Sequence, residues 1–132
     1  MDTVEFVQCF YEDFRTREFD KIAEHIAEHA TFVWMANPEH LKGFGGIAAG
    51  KPAFVERLHA LESEFEYSNL DLHDIIANGE RAAVQIHLSM KRRSTGETFD
   101  MPVAGFFTFE DGKVARYVEY YDTALGEKIL AG

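Results

Sequence analysis

Apolar residues recur along this chain at two spacings, that of a helix in the first half and that of a strand in the second. Asp2-Thr3-Val4-Glu5 has the form of a capping box, and Val7, Phe10, Tyr11 and Phe14 follow at helical spacing. They predict a first helix whose stripe packs by default, with Tyr11 as a polar group on it. A second, short helix is predicted over Asp20 to Ala27. Ala30 to Trp34 is a run of β-formers closed by Asn37-Pro38, which predicts a short strand. The stretch from Pro38 to Gly50 reads as a long glycine-rich loop, a length that suits a lid or an entrance. Pro52 fits the first position of a third helix, where its missing N–H costs nothing, and Phe54, Leu58, Leu61 and Phe65 form the buried stripe.

From there the alternation predicts four strands, roughly 67–77, 81–92, 97–109 and 113–122, joined at Asn78-Gly79, Ser94-Thr95-Gly96 and Asp111-Gly112. Helices followed by a meander predict an α+β fold. A curved antiparallel sheet then wraps around about three helices and can leave a pocket between them. On the last strand Tyr117, Glu119 and Tyr121 share a face. A three-residue loop at Glu110-Asp111-Gly112 sets Phe109 opposite Lys113, which adds Val103, Gly105 and Phe107 to that face. On the second strand of the meander Ile86 and Leu88 face one way and His87 the other. A slip of one residue would exchange them and bring His87 into the pocket. Asp122, ahead of Thr123-Ala124-Leu125, reads as the N-cap of a short terminal helix.

Composition narrows the partners. The 132 residues, 46% of them hydrophobic, suit a single domain over 1–132 with a sizeable core. A formal charge of −10 argues against nucleic acid or an anionic membrane as partner and favours neutral, apolar or cationic ligands, of which a small apolar molecule is the one expected. Cys9 is the only cysteine, so no disulfide framework or cysteine metal site is expected, and the chain reads as cytoplasmic. The opening residues are acidic with no apolar run behind them, and no stretch reaches membrane-spanning length. His25 and His29 lie four apart, a spacing that can hold a metal on a helix, but no third ligand lies near, and helix-end histidines facing the carbonyl dipole are commoner. Gly43, Gly45, Gly46 and Gly50 match no phosphate-cradling motif. No cofactor and no metal are expected.

The candidate chemistry centres on Glu119. A carboxyl between two tyrosines on a buried sheet face has its pKa pushed upward, as a general acid or base requires; on an exposed face it would be an ordinary solvated Glu. Tyr121 is a hydrogen-bonding helper, and His87 joins the set only in the slipped register.

The order of elements, together with Phe6 to Phe14, Phe19-Asp20, Ala27-Glu28-His29-Ala30-Thr31, Gly50-Lys51-Pro52-Ala53-Phe54 and Phe107 to Val114, resembles the nuclear transport factor two-like superfamily over nearly the whole chain. The resemblance points to its SnoaL-like, ketosteroid isomerase-like and limonene epoxide hydrolase-like branch and implies a cystatin-like α+β barrel with a cone-shaped pocket; the superfamily also includes proteins with no catalysis. Set against ketosteroid isomerase, the general base falls on Trp34, the oxyanion-hole tyrosine on Phe10 and the hydrogen-bonding aspartic acid on Gly105; Tyr11 is one residue out of register. Limonene epoxide hydrolase resembles the chain at Thr95 to Asp100 and Glu119 to Asp122. Its arginine and one aspartate fall on Ile86 and Leu88, and its second aspartate on Glu119. SnoaL-like cyclases are similar in carrying an acid at Glu119, with a histidine at Gly105.

Function stays open between three readings. One is a cofactor-free isomerase, cyclase, dehydratase or epoxide hydrolase acting on an apolar cyclic, polyketide-like or terpenoid molecule. Phe10, Phe14, Trp34, Phe54, Leu58, Ile86, Leu88, Val103 and Tyr117 would then form the walls around Glu119. The second is a binding protein with the same pocket and no turnover. The third is a dimerisation module whose pocket is filled by its own aromatics. Apolar groups on both sheet faces, among them Phe106, Val118 and Tyr120, lead to the expectation of a homodimer.

Overall fold

The computed structural model describes residues 2–131; Met1 and Gly132 lie outside it. It has the expected α+β architecture. The elements run α1 (Thr3–Arg15), α2 (Phe19–Glu24), β1 (Ile26–Trp34), β2 (Gly46–Ala49), α3 (Lys51–Glu64), β3 (Phe65–Asn78), β4 (Arg81–Arg92), β5 (Thr98–Glu110), β6 (Lys113–Tyr121) and α4 (Thr123–Ala131). The capping oxygen of Asp2 accepts the Glu5 N–H, and Asp122 caps α4 by accepting the Leu125 N–H.

One six-stranded sheet, in the order β2-β1-β6-β5-β4-β3, is curved but stays open, with β2 and β3 as its edges. The sheet is mixed, not wholly antiparallel: β1 pairs with β6 in parallel, setting Phe32 beside Tyr117 and Trp34 beside Glu119. A parallel pair needs a long crossover, and everything from β2 to β5 lies between these two strands. Within the loop expected over 38–50, Gly46–Ala49 forms the edge strand β2, where glycine and alanine carry little strand signal. The second helix ends at Glu24, not Ala27, because Ile26 already pairs with Val114 and both Ile26 and Ala27 are buried as the start of β1. His25 therefore closes a helix and His29 lies on a strand, where its ring meets Glu110 at 2.6 Å. The two do not share a helix face, and the metal spacing dissolves.

The last hairpin keeps the expected face by a different route. Its turn has two residues, Asp111 and Gly112, with φ of 51° and 72°, so Glu110 pairs with Lys113 and Phe109 with Val114. That turn alone would set odd positions against even ones. A register shift beyond it leaves Ala115 unpaired, a β-bulge that restores Phe107 opposite Tyr117 and Gly105 opposite Glu119. The helices pack against this odd-numbered face. Phe10 of α1 meets Phe107 at 5.2 Å between ring centroids, and Phe54 of α3 meets Phe32 at 5.0 Å. Burying one such ring completely contributes about 1.5–3 kcal/mol.

Candidate functional site

Between the helices and the concave face lies a cavity of about 80 Å³, measured by the space open to the centres of water-sized spheres. One water needs roughly 10–15 Å³ on that scale. Rings and aliphatic chains from α1, α3, α4 and five of the strands form most of its wall, and Glu119 is the one carboxyl among the described residues lining it.

Local pairing explains how Glu119 is held. Trp34 stands beside it on β1 and its indole N–H donates to Oε1 at 3.1 Å. On the other side the neighbour is Gly105, which has no side chain, and the Tyr117 ring lies across that gap so that its hydroxyl donates to Oε2 at 2.6 Å. With the Tyr117 proton committed to the carboxylate, Tyr11 must be the donor in the 2.9 Å contact between the two hydroxyls. The result is a chain from Tyr11 through Tyr117 to Glu119, closed by Trp34.

Burial raises the Glu119 pKa above its ordinary value, opposed by the Tyr117 and Trp34 hydrogen bonds and by the charge of Arg57. Part of Glu119 remains accessible, and it borders the cavity. Burial, reinforced by the neighbouring carboxylate, drives the Tyr11 and Tyr117 hydroxyls well above the usual phenol range, so both stay protonated. Tyr121 is pushed up to about 12 by burial and the Glu119 charge, and its hydroxyl donates to the Phe44 carbonyl.

Phe10, Phe14, Trp34, Leu58, Ile86, Leu88, Val103, Tyr117, Glu119 and Tyr121 all line the cavity. Phe54 does not: it is fully buried behind Phe32 and belongs to the core. His87 is on the opposite face of the sheet. Its side chain is 43% exposed, its Nε2 lies 3.9 Å from Asp100, and its ring stacks on His73 at 6.1 Å. The register pairs His87 with Pro102 and Ile86 with Val103, so the slipped alternative is not the one adopted. The loop before β2 also builds the wall, through Phe44, whose ring meets Trp34 at 5.5 Å and Phe65 at 5.6 Å.

The SnoaL-like domain family matches residues 7–117. The chain belongs to that family. Solved structures support the same fold. A protein of unknown function from Burkholderia pseudomallei, of the nuclear transport factor two-like type, superposes with a TM-score of 0.87 at 19% identity, covering 100% of both chains. A candidate SnoaL-like polyketide cyclase from Mesorhizobium loti gives 0.73 at 21% identity, covering 92% of this chain and 100% of its own. An LEH-like epoxide hydrolase from Mycobacterium tuberculosis gives 0.76 at 15% identity, covering 98% of this chain and 89% of its own. An uncharacterized Schizosaccharomyces pombe protein is 27% identical over 62 residues, 47% of either chain, so the match spans about half of that relative.

Two residues of this SnoaL-like domain complete the site without having stood out in the sequence. The Arg57 guanidinium lies 4.2 Å from the Trp34 ring centroid and 5.3 Å from that of Phe32, and it donates to the carbonyls of Phe32, Gly45 and Gly46. It thus ties the segment before β2 to the strand that carries Trp34, while its charge acts on Glu119. The signal for it was its position three residues after Phe54, on the flank of the buried α3 stripe. Arg57→Met should raise the Glu119 pKa further, because the cation that favours the carboxylate is gone. Trp34, the only tryptophan, reports this by fluorescence titration, and a midpoint unmoved or lowered would refute the electrostatic role. The second residue is Tyr67, two positions after Phe65 on the inward side of β3, which also lines the cavity.

Proposed function

We propose that this domain holds a small, largely apolar molecule in the cavity and that Glu119 moves a proton on it. One observation carries the reading: a single carboxyl, fixed at both oxygens by Trp34 and Tyr117, borders an otherwise aromatic and aliphatic cavity. Each carboxylate oxygen keeps a lone pair beyond these bonds. Protonated, the group donates to an oxygen of the ligand; ionised, it removes a proton from it. Both roles call for a pKa near the working pH, the direction in which burial moves it. Isomerisation, cyclisation, dehydration and epoxide opening on a cyclic, polyketide-like or terpenoid molecule use such a group. The names of the cyclase and hydrolase neighbours fit this range.

Hydrogen–deuterium exchange tests the proposal. Apolar cyclic ketones incubated in deuterium oxide should exchange their α-hydrogens faster with the protein, and not with Glu119→Gln, as read by mass spectrometry. Binding without exchange or product would instead favour a non-catalytic ligand-binding protein. That second reading is supported by the lack of any other titratable carboxyl or histidine among the described cavity residues, since acid/base catalysis generally uses partners.

Assembly is proposed as a homodimer. Phe106 and Tyr120 stand 47% and 45% exposed on the outer face, in edge contact at 5.7 Å, and a second copy would cover them. Light scattering should give twice the chain mass at micromolar concentration, and a monomer would contradict it. No helix among the described residues is long and apolar enough to cross a membrane. A cytoplasmic location is proposed from the single cysteine.

A further inference from the structure

The polar side chains on the cavity wall form a nearly closed account. Tyr11 donates to Tyr117, Tyr117 and Trp34 donate to Glu119, and Tyr121 donates to the Phe44 carbonyl. Tyr67 alone among them has no hydrogen-bond partner among the described residues, although its ring is fixed against Phe14 at 5.3 Å between centroids. Among the described residues no side-chain polar atom sealed away from solvent is left unpaired, so the Tyr67 hydroxyl is within reach of whatever enters from the cavity or from the adjoining cleft. A packed ring that ends in an uncommitted donor on the border of an apolar space is an arrangement that can orient a ligand.

We propose that Tyr67 is the second ligand-binding group of this cavity, donating its hydroxyl proton to an acceptor oxygen, a carbonyl or ether, on the molecule that Glu119 contacts through a hydrogen-bearing group. The inference rests on the reading of the cavity as a ligand site. Tyr67 lies on β3, at the edge of the sheet away from Trp34, so the two groups act from different strands. They differ in chemistry as well. Burial and the charges of Glu119 and Glu62, which outweigh the opposing Arg17 and Arg93, keep the Tyr67 hydroxyl protonated far above neutrality, so it offers a donor at every working pH, whereas Glu119 changes state. The pair therefore selects molecules that carry an oxygen acceptor separate from the proton to be moved. It also fixes which way round such a molecule lies. A plain hydrocarbon of the same shape would leave Tyr67 to a water or unpaired.

The test uses two probes of nearly the same shape, 2-acetylnaphthalene with a carbonyl and 2-ethylnaphthalene without one, titrated against Trp34 fluorescence. The wild type should bind both. Tyr67→Phe should weaken the ketone about 3- to 10-fold, the size of one neutral hydrogen bond, and leave the hydrocarbon unchanged. The difference between the probes should persist at pH above the Glu119 titration midpoint, where the carboxylate has no proton to donate, which separates Tyr67 from a protonated Glu119 as the donor. Independently of the variants' stability, the carbonyl stretch of the bound ketone should lie at lower frequency than in hexane. A stretch at the hexane position, or equal losses for both probes in Tyr67→Phe, would overturn the role of Tyr67 while leaving the cavity reading intact. Failure of the wild type to bind either probe would overturn both.

Discussion

Glu119→Gln is expected to lower proton-transfer turnover by about 10²- to 10⁴-fold, the usual contribution of a general acid or base, while apolar ligand affinity changes by no more than about 1 kcal/mol. The replacement fits its neighbours. The amide oxygen accepts from Trp34, the amide nitrogen donates to the Tyr117 oxygen, and Tyr117 turns its own proton toward Tyr11. Loss of turnover would thus follow from lost titration, not from lost shape. Stability should respond as well, with a definite sign. The folded pKa of Glu119 lies above its unfolded value, so its favourable contribution is complete below the unfolded pKa and is lost as pH rises through the folded one. Glutamine carries no such penalty. The variant's thermal midpoint should match or exceed the wild type's at pH 8, with the advantage shrinking toward pH 4. A variant equally active, or one selectively destabilised at alkaline pH, would contradict this account of the residue.

Gly105→Ala should cost about 1–3 kcal/mol, the range for forcing extra volume into a packed core. A Cβ at this position would lie 2.7 Å from the Tyr117 hydroxyl oxygen, 2.8 Å from its Cε1 and 3.0 Å from Val84 Cγ2. The Tyr117 ring has little room to yield. It is held between Phe32 at 5.0 Å and Phe107 at 4.6 Å, centroid to centroid. Displacing it breaks the 2.6 Å bond to Glu119 and removes a donor that favours the carboxylate. The variant should therefore unfold at lower urea concentration with an unchanged slope, and its Glu119 should titrate at higher pH than in the wild type. Wild-type stability together with an unmoved Glu119 titration would show that the glycine is not what admits Tyr117.

The meander was legible because its turn signals, Asn78-Gly79 and Asp111-Gly112, interrupt clear alternation. The inward direction of Glu119 was legible too, although two deviations from the expected hairpin, a shorter turn and the bulge at Ala115, cancel in their effect on parity. Alternation along β4 pointed Ile86 and Leu88 inward and His87 outward, and the pairing with β5 agrees. Edge strand β2 was not legible, since pairing with β1 confers strand geometry on glycine and alanine that prefer none. Phe54 illustrates the limit of periodicity: it marks the buried side of α3 but cannot tell core from cavity wall. Arg57 and Tyr67 act across elements distant in sequence, so only the three-dimensional arrangement shows what they meet.

Carbon-detected NMR titration of the Glu119 side-chain carboxyl tests the central claim most directly. A midpoint clearly above the ordinary glutamate range, rising again in Arg57→Met, is the predicted result. A midpoint at the value of a solvated glutamate, insensitive to Arg57, would mean that the carboxyl is hydrated and that the cavity does not tune it for proton transfer.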